Sequence, residues 1–208
     1  MRKFATQLLS KLAFLFALVG ASSGFGAQTQ PAAGASTTVI VVRHAEKATD
    51  DPRDPSLSPE GERRAQALAT ALEGAAVSAI YATQYRRTRD TGAPLAEARG
   101  LEIEERPVTQ ANSAEYAETL RREILSRHAG GTVLVVGHSN TVPLIARTMS
   151  GRTVADMTEA EYDHFYMILI PPTGPASLLH ARYGEASAAI NTSGSANATP
   201  PAPASPDS

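Results

Sequence analysis

Four β-branched apolar residues, Val39-Ile40-Val41-Val42, run straight into Arg43 and His44. A run with no polar alternation belongs to a strand buried on both faces, the condition of a parallel strand with helices packed on either side. The cation and the imidazole at its carboxyl end therefore emerge where open parallel sheets place their ligands. The design repeats later in the chain, where Thr132-Val133-Leu134-Val135-Val136 leads through Gly137 into His138, Ser139 and Asn140 ahead of an expected helix. Two imidazoles delivered to one sheet edge mark a candidate site.

Strand and helix alternate between these two runs. Ser58-Pro59-Glu60 is a helix start, with Ser58 as N-cap and Pro59 at the first helical position. Ala65, Leu68, Ala69 and Leu72 then recur at helical spacing up to Gly74. A short strand is expected at 77–81, a helix at 85–99 closed by Gly100, a strand at 101–108 and a helix at 113–128. A helix at 141–149 follows, then two apolar runs at 164–170 and 177–183 around Pro171-Pro172-Thr173-Gly174. This order predicts an α/β fold, a three-layer α/β/α sandwich with a mainly parallel central sheet.

The ends of the 208-residue chain read differently. Residues 1–27 carry Arg2, Lys3 and Lys11, then the apolar stretch from Leu12 to Val19, then small residues, which is the layout of a secretory signal peptide. The apolar stretch is too short for a stable membrane span. Residues 28–37 read as a linker, and 185–208, made mostly of Ala, Ser, Asn, Thr, Gly and Pro, as a disordered tail. One globular unit remains at 38–184, and export predicts a periplasmic or secreted protein. The chain has no cysteine, which excludes a disulfide framework, a thiolate metal site and a cysteine nucleophile. Its formal net charge is −2, with no basic tail or basic aromatic patch, so a nucleic-acid partner is not expected.

Several segments together resemble one family. Arg43-His44-Ala45 is similar to the Arg-His-Gly signature of the histidine phosphatase superfamily, the phosphoglycerate-mutase-like fold. Leu57-Ser58-Pro59-Glu60-Gly61 with Ala65 resembles its Leu-Thr-x-x-Gly…Ala helix start. The segment from Thr83 through Arg87 to Thr91 resembles its Ser-x-x-x-Arg-x-x-x-Thr motif, and Gly137-His138 stands where the family keeps its second histidine. The resemblance covers about Val39 to Met149. It implies that His44 is the nucleophile, with Arg43, Arg87 and His138 around the transferred phosphoryl group; Thr83 joins the substrate-binding candidates, as does Asn140, because helix starts attract anions. It implies hydrolysis of phosphomonoesters through a phosphohistidine, without a metal or other cofactor. A noncatalytic phosphate-binding protein on the same fold is the alternative, and a phosphomutase ranks below both.

The chemistry of these residue types agrees. Phosphoryl transfer asks mainly for positioning and positive charge around the equatorial oxygens, which guanidinium forks supply. Neighbouring arginines also keep an imidazole neutral, hence nucleophilic. The general acid for the leaving oxygen is the missing part. The mutase-like branch keeps a glutamate soon after the third strand, where this chain reads Val108-Thr109-Gln110-Ala111-Asn112, and the phytase-like branch keeps an aspartate after the second histidine, where this chain has Ser139. Glu115 is the first candidate by position, with Glu105 and Asp54 behind it. A substrate with a good leaving group needs none of them.

Blander readings stand beside these. His128, His164 and His180 are read as ordinary core or surface histidines, and Arg86 and Arg89 as a solvated helix face. Without an anion, a buried Arg43 needs a carboxylate partner such as Glu46 or Asp54. Asp50, Asp51 and Asp54 do not form a calcium loop, because Pro52 and Pro55 intrude. The inserts that would wall the pocket are short, which favours an open site and a bulky phosphorylated substrate.

Overall fold

The structure, a computed structural model, describes residues 34–187 of the chain. The expected signal peptide, most of the expected linker and residues 188–208 of the expected tail lie outside the described residues. Six strands form one sheet: β1 (Thr37–Arg43), β2 (Val77–Ala82), β3 (Ile103–Glu105), β4 (Thr132–Gly137), β5 (His164–Ile170) and β6 (Ser177–Arg182). Their spatial order is β3-β2-β4-β1-β5-β6. β1 to β4 are mutually parallel, and β5 and β6 run antiparallel.

Four helices cover the sheet: α1 (Pro59–Ala71), α2 (Arg86–Arg99), α3 (Ser113–Arg127) and α4 (Thr141–Ser150). Leu68 and Ala69 of α1 and Leu95 and Ala96 of α2 pack with Ile40, Val42, Leu134 and Val136 of the sheet. Leu120 and Ile124 of α3 and Val142, Ile145 and Met149 of α4 pack with Val39, Val41, Val133 and Val135. Alternate residues of β1 and β4 thus feed two separate cores, which is why their sequences show no polar alternation. The result is the three-layer α/β/α arrangement with a mainly parallel sheet.

Ser58 caps α1 as expected, its hydroxyl accepting from the Gly61 backbone N–H at 3.2 Å. Gly61 itself is required by close approach, since a Cβ there would lie 2.3 Å from the Glu46 carbonyl oxygen. Gly137 is under the same constraint, because a Cβ would meet the Thr141 hydroxyl at 2.7 Å. β3 is shorter than the expected 101–108 strand. It is an edge strand, and after Arg106 donates to the Ala82 carbonyl, Pro107 has no N–H with which to extend the ladder.

The domain boundaries shift slightly from expectation. Thr37, assigned to the linker, begins β1 and is 3% exposed. Residues 185–187, assigned to the disordered tail, are tied to the domain. Arg64 Nη1 donates to the Glu185 carbonyl, and the Ser187 hydroxyl donates to Asp163 while accepting from the Tyr162 and Asp163 N–H groups. Asp163 is 1% exposed and needs those donors, which composition could not reveal. Among the described residues no helix is long and apolar enough to cross a membrane.

Candidate active site

β1 ends at Arg43, and one further ladder bond, from the His44 N–H to the Gly137 carbonyl at 2.9 Å, brings His44 beside the end of β4. His44 Nδ1 lies 2.7 Å from the Ala45 carbonyl oxygen. A carbonyl only accepts, so Nδ1 carries the proton and Nε2 keeps its lone pair when the ring is neutral. The turn is held from the other side, where the Ala45 N–H donates to the Thr91 hydroxyl at 2.9 Å and that hydroxyl donates to the Arg87 carbonyl at 2.7 Å. α2 thereby fixes the backbone next to the ring.

His138 meets His44 edge-on, with ring centroids 5.3 Å apart. Its Nε2 is 2.9 Å from the Thr83 hydroxyl, which is 3.0 Å from the Thr88 hydroxyl. Each hydroxyl has one proton, and Thr88 uses its own on the Tyr85 carbonyl at 2.7 Å. Thr83 must then donate to Thr88, and His138 Nε2–H to Thr83, leaving Nδ1 as the variable nitrogen of His138. Thr83 was expected to bind substrate. It is instead fully buried, outside the cavity, and holds the His138 ring.

Both arginines come to this edge. Arg43 is fully buried beneath the site, with Nη1 donating to the Thr158 and Glu161 carbonyls and Nη2 to Glu159 at 2.8 Å. Its guanidinium lies 4.0 Å from the centre of the Tyr162 ring. The blander reading gave Arg43 a carboxylate partner such as Glu46 or Asp54; the carboxylate it meets is Glu159, while Glu46 is committed to Arg64 and Asp54 lies 3.8 Å from Arg87. Arg87 stacks 4.2 Å from the Tyr85 ring centre, and burial, with the nearby charge of Arg43, weighs against its own charge. The Nε atoms of Arg43 and Arg87 are buried without an acceptor among the described residues. Unspent donors on two neighbouring cations favour an oxyanion. Arg86 and Arg89 stay outside the cavity, facing Asp50 and Glu105.

A cavity of about 650 Å³ opens here, lined by His44, Arg87, His138, Ser139, Asn140 and Glu159, with Lys47, Tyr85 and residues 108–110 around it. The Gln84 amide pins one wall by pairing with both the N–H and the C=O of Val108. Asn140 lines the cavity. The N–H groups of Thr141 and Val142 at the start of α4 both donate to the His138 carbonyl. Glu115 does not come to the cavity. It lines a separate hollow with Arg106, Pro107 and Tyr116, because α3 departs on the far side of the 108–112 loop.

The carboxylate at the site is Glu159, to which sequence reasoning assigned no role. Its segment enters β5, and because β5 runs antiparallel to β1, with Val42 opposite Phe165, the start of β5 lies at the carboxyl end of β1. The acidic clustering of Asp156, Glu159, Glu161 and Asp163 ahead of a strand was the available signal. Among the described residues no group of three or more His, Asp or Glu side chains is arranged to hold a metal ion.

Burial, reinforced by His138, Arg43 and Arg87, pushes the His44 pKa down to about 2, and burial with Arg87 and Arg43 takes His138 down to about 4. Both rings are therefore neutral well below pH 6.5. Between pH 6.5 and 4 the unfolded chain binds protons that the folded one refuses, so their contribution to stability is present above 6.5 and shrinks as pH falls. Imidazole 15N shifts in the free protein are expected to keep the Nδ1–H tautomer of His44 from pH 7 down to 5. A His44 titration midpoint near 6.5 would contradict the geometry.

The family model described as Histidine phosphatase superfamily (branch 1) matches residues 39–110. No curated protein sequence matches the chain. Among solved structures, one titled Mycobacterial hydrolase 2 aligns with a TM-score of 0.56 at 14% identity, over 75% of this chain and 94% of that one. The protein histidine phosphatase SixA, complexed with tungstate, gives 0.56 at 15% identity over 70% and 96%. A mycobacterial glucosyl-3-phosphoglycerate phosphatase gives 0.53 at 16% identity over 69% and 97%. At these identities the likeness is one of fold.

Proposed function

We propose that the chain, whose residues 39–110 match the histidine phosphatase superfamily model, is an exported phosphomonoesterase that works through a phosphorylated His44. The observation that carries this reading is the fixed tautomer of His44, whose Nδ1–H is spent on the Ala45 carbonyl so that Nε2 keeps a lone pair beside Arg87 and His138. In the proposed reaction Nε2 attacks phosphorus and the ester oxygen departs. Arg87, Arg43 and His138 face the charge on the equatorial oxygens. Water then attacks the phosphohistidine, phosphate leaves and the lone pair returns to Nε2.

Phosphatases among the structural neighbours support the reaction class. One is a protein histidine phosphatase and another acts on a glucosylated phosphoglycerate, so the fold accommodates macromolecular and small substrates. The basic-then-apolar start of the sequence supports export.

Rapid alkaline quenching of the protein during turnover of a 32P-labelled aryl phosphate tests the intermediate. Label is expected on the peptide containing His44, stable in base and lost in mild acid. Hydrolysis without such label, at a rate matched by a variant lacking the His44 imidazole, would leave a phosphate-binding protein.

A further inference from the structure

We propose that Glu159 is the proton donor to the leaving oxygen, a role that rests on the phosphatase reading above. Glu159 is the one carboxylate lining the cavity among the described residues. None of the carboxylates singled out from the sequence lines this cavity. Glu115 lines another hollow, Glu105 pairs with Arg89 at 3.0 Å, and Asp54 accepts from the Arg86 N–H at 2.9 Å while facing Arg87.

The position of Glu159 is built. Arg43 grips the segment on both sides, through the Thr158 and Glu161 carbonyls, and Thr158 N–H donates to the Glu161 carboxylate at 2.7 Å. One oxygen of Glu159 accepts from Arg43 and the other from the Ser139 hydroxyl, next to His138. Its side chain nevertheless remains 73% exposed, open to whatever occupies the cavity. The Ser139 hydroxyl and the charge of Arg43 favour its ionised form.

A phosphoryl group shifts this balance while the Ser139 hydrogen bond stays in place. It competes for the Arg43 fork, which removes the counter-charge from Glu159, and it brings its own negative charge beside the carboxylate. Glu159 then takes a proton from solvent. As His44 Nε2 forms its bond to phosphorus and the P–O bond breaks, the departing oxygen takes the carboxyl proton and leaves as an alcohol. The carboxylate next receives a proton from the attacking water as the new P–O bond forms and the P–N bond opens. Phosphate departs and Glu159 is protonated again.

The test is the leaving-group dependence of kcat/KM, which reports the steps up to ester cleavage, for wild type and E159Q. Glutamine keeps the size and an acceptor for Ser139 but has no proton of comparable acidity. For an alkyl phosphate such as glycerol phosphate, E159Q is expected to lower kcat/KM about 100- to 1,000-fold. For 2,4-dinitrophenyl phosphate, whose leaving group needs no proton, the loss is expected to stay within about threefold. Equal losses for both substrates would overturn the proposal and leave Glu159 a structural clamp. So would tighter binding of inorganic phosphate by E159Q with unchanged leaving-group dependence, which would make Glu159 a plug on Arg43. A wild type that hydrolyses aryl phosphates through His44 but no alkyl phosphate would overturn it too. The failure of the phosphatase reading looks different, since turnover would then be indifferent to the His44 imidazole for every substrate.

Discussion

His44→Asn is expected to lower kcat for an aryl phosphate on the order of 10,000-fold or more, the scale seen when a nucleophile is removed. Asparagine places an amide N–H near the position of Nδ1, where it can still donate to the Ala45 carbonyl, while nothing replaces Nε2. The turn held by Thr91 and Gly137 should therefore survive, and melting within a few degrees of wild type is the accompanying control. A fall in kcat below tenfold with an intact fold would remove His44 from the reaction. Binding of vanadate or tungstate should weaken far less than kcat, because Arg43, Arg87 and His138 remain.

The second large effect concerns stability. Arg64 is 5% exposed and donates through Nε and Nη2 to both oxygens of Glu46, and through Nη1 to the Tyr183 and Glu185 carbonyls. Glu46 follows His44 by two residues, and its backbone carbonyl accepts the Ser58 N–H at the start of α1. Arg64→Met removes the charge but keeps an apolar stem, which strands a mostly buried carboxylate. Breaking a buried pair from one side costs about 3 kcal/mol or more, and for a domain of this size that is a melting shift of about 6–12 °C. Calorimetry should show this fall, and the double variant Glu46→Gln/Arg64→Met should recover part of it because neither charge is left alone. Melting of the single variant within 2 °C of wild type would mean that water replaces the pair at no cost.

Much of the architecture was legible because it rests on local patterns. β1 and β4 announce themselves by unbroken apolar runs, and α1 by Ser58-Pro59 and the Leu68 stripe. The cap of α2 was not legible: Tyr85 contributes no side-chain cap, and the Arg86 N–H is satisfied by Asp54 from a distant loop. Spacing drew attention to Thr83 and Arg87 together, but spacing says nothing about depth. Arg87 reaches the cavity while Thr83 stays behind His138. Glu115 stood near the right place along the chain and on the wrong side of it. Glu159 was hidden because its position depends on the direction of β5, a property of strand pairing that no local pattern encodes.

That reversal of direction divides responsibility within the site. The imidazoles and guanidinium groups of the site come from the carboxyl ends of β1 and β4 and the start of α2, elements anchored in the two cores. The wall bearing Glu159 belongs to a connector that arrives from the opposite sense and leads into a peripheral hairpin. Insertions or replacements between Gly151 and Asp163 would remodel the cavity wall that bears Glu159 without re-registering a central strand. Evolution, or a protein engineer, could thus reshape that wall as long as Thr158, Glu159 and Glu161 keep their contacts with Arg43.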